Sequence, residues 1–169
     1  MKKILIAGIG NIFQGDDAFG CEVIRQMPAG AFPEQVTVID FGIRSYDQAY
    51  AMTSGYDAVI LVDAASRQQE PGTLYLIEPD VSRVGKLGVA AVDAHSMNPV
   101  SVIQMAQSLG GVIGKLYLIG CEPAALEGDE IGLSARVQEA VPQALAMIES
   151  LVKELLQGKE KLTARLEAA

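Results

Sequence analysis

Ile4-Leu5-Ile6-Ala7-Gly8-Ile9-Gly10-Asn11-Ile12-Phe13-Gln14-Gly15-Asp16-Asp17-Ala18-Phe19-Gly20 stands almost at the N-terminus. The apolar residues 4–7 read as a strand, and the glycines after them read as a tight loop leading into a helix. Loops of this kind often cradle phosphate, but this one fails both phosphate patterns. For a dinucleotide fingerprint, Gly8 and Gly10 fit, but Phe13 occupies the third glycine position. Its bulk would block the close helix–strand approach which that glycine permits. For a P-loop, Gly10 and Gly15 have the right spacing, but Asp16 and Asp17 replace the lysine and the hydroxyl residue. Two anions there repel a polyphosphate. The loop therefore points away from nucleotides and towards a cation.

Outward from this loop, apolar runs alternate with helical patterns, the signature of βαβ units. Strands are expected at residues 3–7, 36–39, 58–62, 73–77 and 115–119. Helices are expected at residues 18–26, 46–53, after Asn98-Pro99 as far as Gly110-Gly111, and at 134–156 with Ser134 as cap. The run 58–62 is apolar throughout and reads as a central strand covered on both faces. Strand 73–77 follows too short a connection for a helical crossover and is expected to be antiparallel. Residues 80–94, with Gly85 and Gly88, read as a surface loop. The expected fold is a three-layer α/β sandwich, with a mostly parallel, twisted sheet of about five strands and helices on both faces. Residues 1–157 form its single domain, and residues 158–169 are a charged, frayed tail.

The chain has 169 residues, half of them apolar and 20% charged, with a net charge of −8. This balance suits a globular domain with a real core and disfavours nucleic acid or an anionic membrane as partner. No apolar run is long enough to span a bilayer. Met1-Lys2-Lys3 followed by apolar residues resembles a signal-peptide start, but glycines interrupt the run and Asp16-Asp17 follow where a cleavage site would stand. A cytoplasmic protein is expected. The two cysteines, Cys21 and Cys121, form no C-x-x-C pair and read as small buried hydrophobes. His95 is the sole histidine, so any imidazole chemistry must use it. No Gly-x-Ser-x-Gly elbow is present.

In open α/β sheets, ligands bind beyond the carboxyl ends of the parallel strands. Asp17 lies past the first strand, Asp63 at the end of the central one, and His95 just before the helix opened by Pro99. Two carboxylates and an imidazole would suit a divalent metal such as nickel or zinc and leave positions open for substrate. Each residue also has a structural reading. Asp16 or Asp17 can cap a helix, Asp63 (with Ser66) can cap a turn, and His95 can be structural or simply exposed. Asp40 also ends a strand, and its neighbours Phe41 and Gly42 suggest a turn.

Taken together, these segments resemble the hydrogenase maturation endopeptidases, which remove a C-terminal extension from the large subunit of nickel-iron hydrogenases. Gly8-Ile9-Gly10-Asn11 with Gly15-Asp16-Asp17-Ala18-Phe19-Gly20 is similar to the family's opening motif. Val62-Asp63-Ala64 is similar to its second acidic motif, and His95-Ser96-Met97-Asn98-Pro99 to its histidine segment. Leu118-Ile119-Gly120-Cys121-Glu122-Pro123, with Ile131-Gly132-Leu133-Ser134, resembles its C-terminal part. The likeness runs from Lys3 to about Leu156.

The resemblance implies that Asp17, Asp63 and His95 are the catalytic, metal-binding residues. They would hold nickel carried by the precursor rather than kept permanently, and zinc or cadmium could take the site in vitro. It selects Asp17 over Asp16 as ligand, at a position where the family often has glutamate. It also implies a monomer whose partner is a nickel-iron hydrogenase large-subunit precursor. Many members have Asp-Gly-Gly-Thr where this chain has Asp40-Phe41-Gly42-Ile43-Arg44. That region is associated with recognition of a particular large subunit, which makes Asp40, Phe41, Gly42 and Arg44 candidates for substrate recognition. Sequence leaves open whether metal activates the attacking water or a carboxylate, Asp17 or Asp16, acts as general base. A non-catalytic nickel-dependent docking or carrier module remains the alternative.

Overall fold

The computed structural model describes residues 1–84, 99–124, 126 and 131–158. Five strands form one sheet: β1 (Ile4–Ile9), β2 (Val36–Gly42), β3 (Ala58–Ala64), β4 (Leu74–Ile77) and β5 (Lys115–Cys121). Their order is β2-β1-β3-β5-β4. The β1–β2, β1–β3 and β3–β5 pairs are parallel, with Ile4 opposite both Val36 and Ala58, and Ala58 opposite Lys115. Only β4 runs antiparallel, with Leu74 opposite Cys121, as its short connection predicts. The helices are α1 (Phe19–Gln26), α2 (Ser45–Met52), α3 (Val81–Val84), α4 (Pro99–Ser108) and α5 (Ala135–Gln157).

Side-chain alternation along the strands divides the core into two layers. Ile4, Ile6, Ala58, Ile60 and Val62 pack with Phe19 and Val23 of α1 and the apolar stripe of α5. Leu5, Ala7, Ile9, Val59 and Leu61 pack with Ala49 and Met52 of α2 and Val102, Ile103 and Ala106 of α4. Each of the larger apolar side chains stabilises the fold by roughly 1.5–3 kcal/mol when fully buried. Every residue of β1 is buried, which accounts for its near-continuous apolar sequence.

Helix boundaries follow local chemistry. α1 ends at Gln26, and Met27 turns extended before Pro28. α5 buries Val137, Ala140, Val141, Ala144, Ile148, Leu151, Val152 and Leu155, a single stripe at helical spacing, and stops at left-handed Gly158.

Three local expectations change. A short 3-10 turn, Gly15–Ala18, precedes α1, so the helix proper begins at Phe19. Residues 81–84 form α3 rather than loop; Asp80 Oδ1 accepts the Ser82 N–H at 3.0 Å and its hydroxyl, a local bond that favours a turn. Ser134 stands at the cap position of α5, but its side chain makes no capping bond. Its hydroxyl is given to Asp16 instead. The remainder of the expected 80–94 loop, the Asn98 cap, and tail residues 159–169 lie outside the described residues.

Candidate active site at the carboxyl edge of the sheet

The strand order reverses direction at β1: the chain passes from β1 to β2 on one side, then returns to place β3 on the other. A crevice beyond the carboxyl ends of β1 and β3 follows from that topology. Asp17 and Asp63 both stand at that edge, Asp17 in the turn after β1 and Asp63 as the penultimate residue of β3.

The crevice is built around close backbone approach. A methyl at Gly20, in the first turn of α1, would collide with the carbonyls of Val62 and Ile9 and lie 2.7 Å from the Ile9 nitrogen. Gly20 thus supplies the tight helix–strand contact that Phe13 cannot, and Phe13 is released to the surface, 65% exposed. Gly10, with φ 143°, faces the Asp17 carbonyl so closely that no side chain fits. These two contacts pin the Gly15–Ala18 turn beneath the end of β1.

Within that turn the two aspartates divide their roles. Asp16 is 2% exposed. Its Oδ2 accepts the Ala124 N–H at 2.8 Å and the Ser134 hydroxyl at 2.9 Å, and its Oδ1 accepts the Ser134 N–H at 2.7 Å. Asp17 is half-buried and accepts the Asn11 N–H on Oδ2 at 2.8 Å. Its other oxygen takes no hydrogen bond among the described residues.

Asp63 is 5% exposed and accepts the Ala64 N–H on Oδ1 at 2.8 Å. Burial first, and then the charge of Asp17, push its carboxyl well above the usual aspartate range; the Ala64 bond opposes them weakly. An acid placed so that it resists ionisation beside another acid is prepared to hold a proton or a cation. Asp63 continues the parity of Val59 and Leu61, towards the layer that contains α4. His95 lies outside the described residues, and among those residues no group of three metal-type side chains forms.

Asp40, Phe41, Gly42 and Arg44 lie beside this crevice. Asp40 Oδ1 accepts the Gly42 N–H at 3.0 Å. Phe41 is buried in the α2/α4 core layer. Arg44 bends back on its own strand, donating from Nε to the Phe41 carbonyl at 3.1 Å and from Nη2 to the Asp40 carbonyl. Its other neighbour is Asp47, at 3.6 Å.

Ile12 and Phe13 stand between two clefts. One, of 340 Å³, reaches Phe41, Ile43 and Arg44; the other, of 480 Å³, reaches Ile131 and Leu133. Asp40 and Cys21 line both. Burial, a hydrogen bond to Asp40 and the charges of Asp40, Asp63 and Asp17 push the Cys21 thiol up to about 12. Burial, Asp16 and Glu122 do the same to Cys121. Neither cysteine is a nucleophile at neutral pH.

Sequence reasoning passed over Glu122, which is 3% exposed. Its Oε2 accepts the Tyr75 hydroxyl at 2.6 Å and the Arg67 N–H at 2.7 Å, and Ser66 reaches its Oε1 at 3.4 Å. Ser66 thus serves Glu122 rather than Asp63. Burial alone would raise the Glu122 carboxyl, but bonds from Tyr75, Arg67, Gln69 and Ser66 outweigh it and hold it below its usual range. The signal was present, because Glu122 follows an apolar strand as Asp63 ends one.

Comparison with known proteins matches this geometry to a family. The model of the hydrogenase maturation proteases matches residues 21–151. The chain belongs to the hydrogenase maturation protease family. It is 32% identical over 169 residues to the hydrogenase expression/formation protein HupD of Rhizobium leguminosarum, covering 99% of this chain and 81% of that one. The solution structure of an endopeptidase from Escherichia coli aligns with TM-score 0.72 and 27% identity over 94% of this chain and 95% of that one. A [NiFe] hydrogenase maturation protease, HycI, from Thermococcus kodakarensis aligns with TM-score 0.67 and 25% identity over 90% and 93%. This maturation protease is therefore a peptidase with the family's five-stranded mixed sheet. Among its described residues, no helix is long and apolar enough to cross a membrane.

Proposed function

We propose that this maturation protease removes the C-terminal extension of a nickel-iron hydrogenase large-subunit precursor in the cytoplasm, and that it recognises nickel already seated in that precursor. The observation that carries the reading is the pairing of Asp17 and Asp63 at the ends of β1 and β3, with Asp63 resisting ionisation beside Asp17. A cation relieves the repulsion that such a pair creates, so a metal carried by the substrate would be attracted to it. Asp17 keeps an oxygen without a partner among the described residues, which suits a ligand. His95 would complete the set as a nitrogen donor. With nickel as part of the substrate, an unloaded precursor would bind weakly and escape premature cleavage.

In hydrolysis, water adds to the scissile carbonyl, a carboxylate takes the water proton, and the peptide C–N bond breaks as the amine is protonated. Both oxygens of buried Asp16 already accept donors from Ala124 and Ser134, which leaves it turned away from a substrate. Asp17, which keeps an oxygen without a partner among the described residues, is left for the task. Nickel would polarise the carbonyl or position it. A second reading, favoured by the raised carboxyl of Asp63, is a metal-free acid pair of the aspartic-protease kind. It requires cleavage of nickel-free precursor and no dependence on His95.

Intact mass of the precursor, incubated with the protease with and without nickel loading, separates these readings. Loss of a short C-terminal peptide only from the loaded form supports nickel recognition. Cleavage of both forms supports the acid pair. A verified, loaded partner left uncut supports a docking or carrier role.

A further inference from the structure

Asp16 is buried, accepts three hydrogen bonds and is absent from the walls of both clefts, yet it adjoins Asp17. Its partners lie 108 and 118 residues away in sequence. One is the backbone just past β5; the other is Ser134, at the entrance of α5. The carboxylate also sits at the positive end of that 23-residue helix, a favourable place for an anion. Ser134 directly follows Ile131-Gly132-Leu133, which forms the wall of the larger cleft facing Ile12 and Phe13. Ile131 is 79% exposed and Phe13 is 65% exposed, so two apolar side chains project around a cleft that shares Cys21 and Asp40 with its neighbour. Ala18, the neighbour of Asp17, also lines that cleft, and Cys21 there donates to the Gly10 carbonyl at 3.4 Å, where Gly10 abuts the Asp17 carbonyl.

We propose that Asp16 is a positioning residue: it ties the 131–134 wall to the turn bearing Asp17, and so sets the seat of the precursor's C-terminal segment without touching the reacting atoms. This rests on the reading of the protein as a precursor protease. The physical basis is the number of donors. Three donors converge on one carboxylate, and an asparagine there would present an N–H₂ group to at least one of them. The wall would then lose its fixed spacing from Phe13, while the Asp17–Asn11 bond, made by a separate side chain, would persist.

The test is steady-state cleavage of nickel-loaded precursor by the full-length chain and its Asp16→Asn and Ser134→Ala variants, with thermal melting to verify folding. Asp16→Asn is expected to raise KM by about tenfold and to leave kcat within about threefold. Ser134→Ala, which removes only the hydroxyl donor, is expected to raise KM by about two- to threefold. A fall in kcat at constant KM in Asp16→Asn would place Asp16 in the chemistry and overturn the proposal. Unchanged KM and kcat in folded variants, with only a lower Tm, would reduce Asp16 to a fold contact and overturn it too. If Asp16→Asn does not fold, Ser134→Ala decides alone, and an unchanged KM is then the overturning result. Should the wild-type chain cleave nothing, the protease reading fails separately. Titration calorimetry with the loaded precursor then takes the place of KM, and equal affinity of wild type and Ser134→Ala overturns the proposal.

Discussion

Asp17 acts electrostatically on Asp63 across the gap between the ends of β1 and β3, adding to the burial that already disfavours the Asp63 carboxylate. The folded pKa of Asp63 therefore lies above its unfolded value. Its favourable contribution to stability is complete below the unfolded pKa and is lost as pH rises through the folded one. At neutral pH the protein carries this acid at a cost. Asp63→Asn is expected to abolish precursor cleavage while raising stability at neutral pH. That gain should shrink as pH falls and wild-type Asp63 takes up its proton. Paired melting and cleavage assays across pH check it; a variant that is both active and less stable would contradict the assignment.

Glu122 has the opposite sign. Its folded pKa is lowered by the donors around it, so its stabilisation is present above the unfolded pKa and disappears as pH falls through the folded one. Glu122→Gln is expected to cost about 1–3 kcal/mol at neutral pH, because one of its donors meets an N–H₂ group. The deficit should narrow in acid. Denaturant titrations at several pH values measure this, and a deficit that widens in acid would refute it.

Gly20 has no room for a methyl group, because its neighbours are backbone carbonyls of β1 and β3 rather than side chains that could move. Gly20→Ala should destabilise the protein by about 3 kcal/mol or more. A melting curve close to wild type would mean that α1 can lift from the sheet.

Gln48 on α2 is fully buried, and neither its amide nitrogen nor its oxygen has a hydrogen-bond partner among the described residues. Replacing an unpaired buried amide with an apolar side chain of similar size removes a desolvation cost. Gln48→Met is expected to stabilise by about 1 kcal/mol. Destabilisation by a similar amount would show that the amide is paired outside those residues.

The buried, proton-retaining thiols of Cys21 and Cys121 predict indifference to alkylation. Iodoacetamide at neutral pH should leave both the mass of the folded protein and its cleavage rate unchanged. Rapid loss of activity with modification of Cys21 would reopen a cysteine mechanism.

Much of the fold was legible in local chemistry. The unbroken apolar run of residues 58–62 announced a central strand, and the short link to residues 73–77 announced an antiparallel edge. Gly110-Gly111 marked a helix end. The division between Asp16 and Asp17 was not legible from residue chemistry alone, because adjacent acids in a glycine loop look alike until their distant partners are known. Arg44 stood out as a substrate-recognition candidate, and only the fold shows its guanidinium bonded to the Phe41 and Asp40 carbonyls. Phe13 looked like an obstacle to close packing, which the chain achieves at Gly20.

The α/β alternation, the acids at strand ends and the family resemblance are written in local residue order, because periodicity, turn residues and motif spacing are local properties. Only the assembled fold distinguishes Asp16, held by Ala124 and Ser134, from Asp17, which keeps one oxygen without a partner among the described residues, and only there does Asp63 resist ionisation. The fold also decided that Glu122 gathers the loop after β3. Hydrogen bonds between residues more than a hundred positions apart, and the loss of solvent around a carboxylate, exist only once the sheet has brought those segments together.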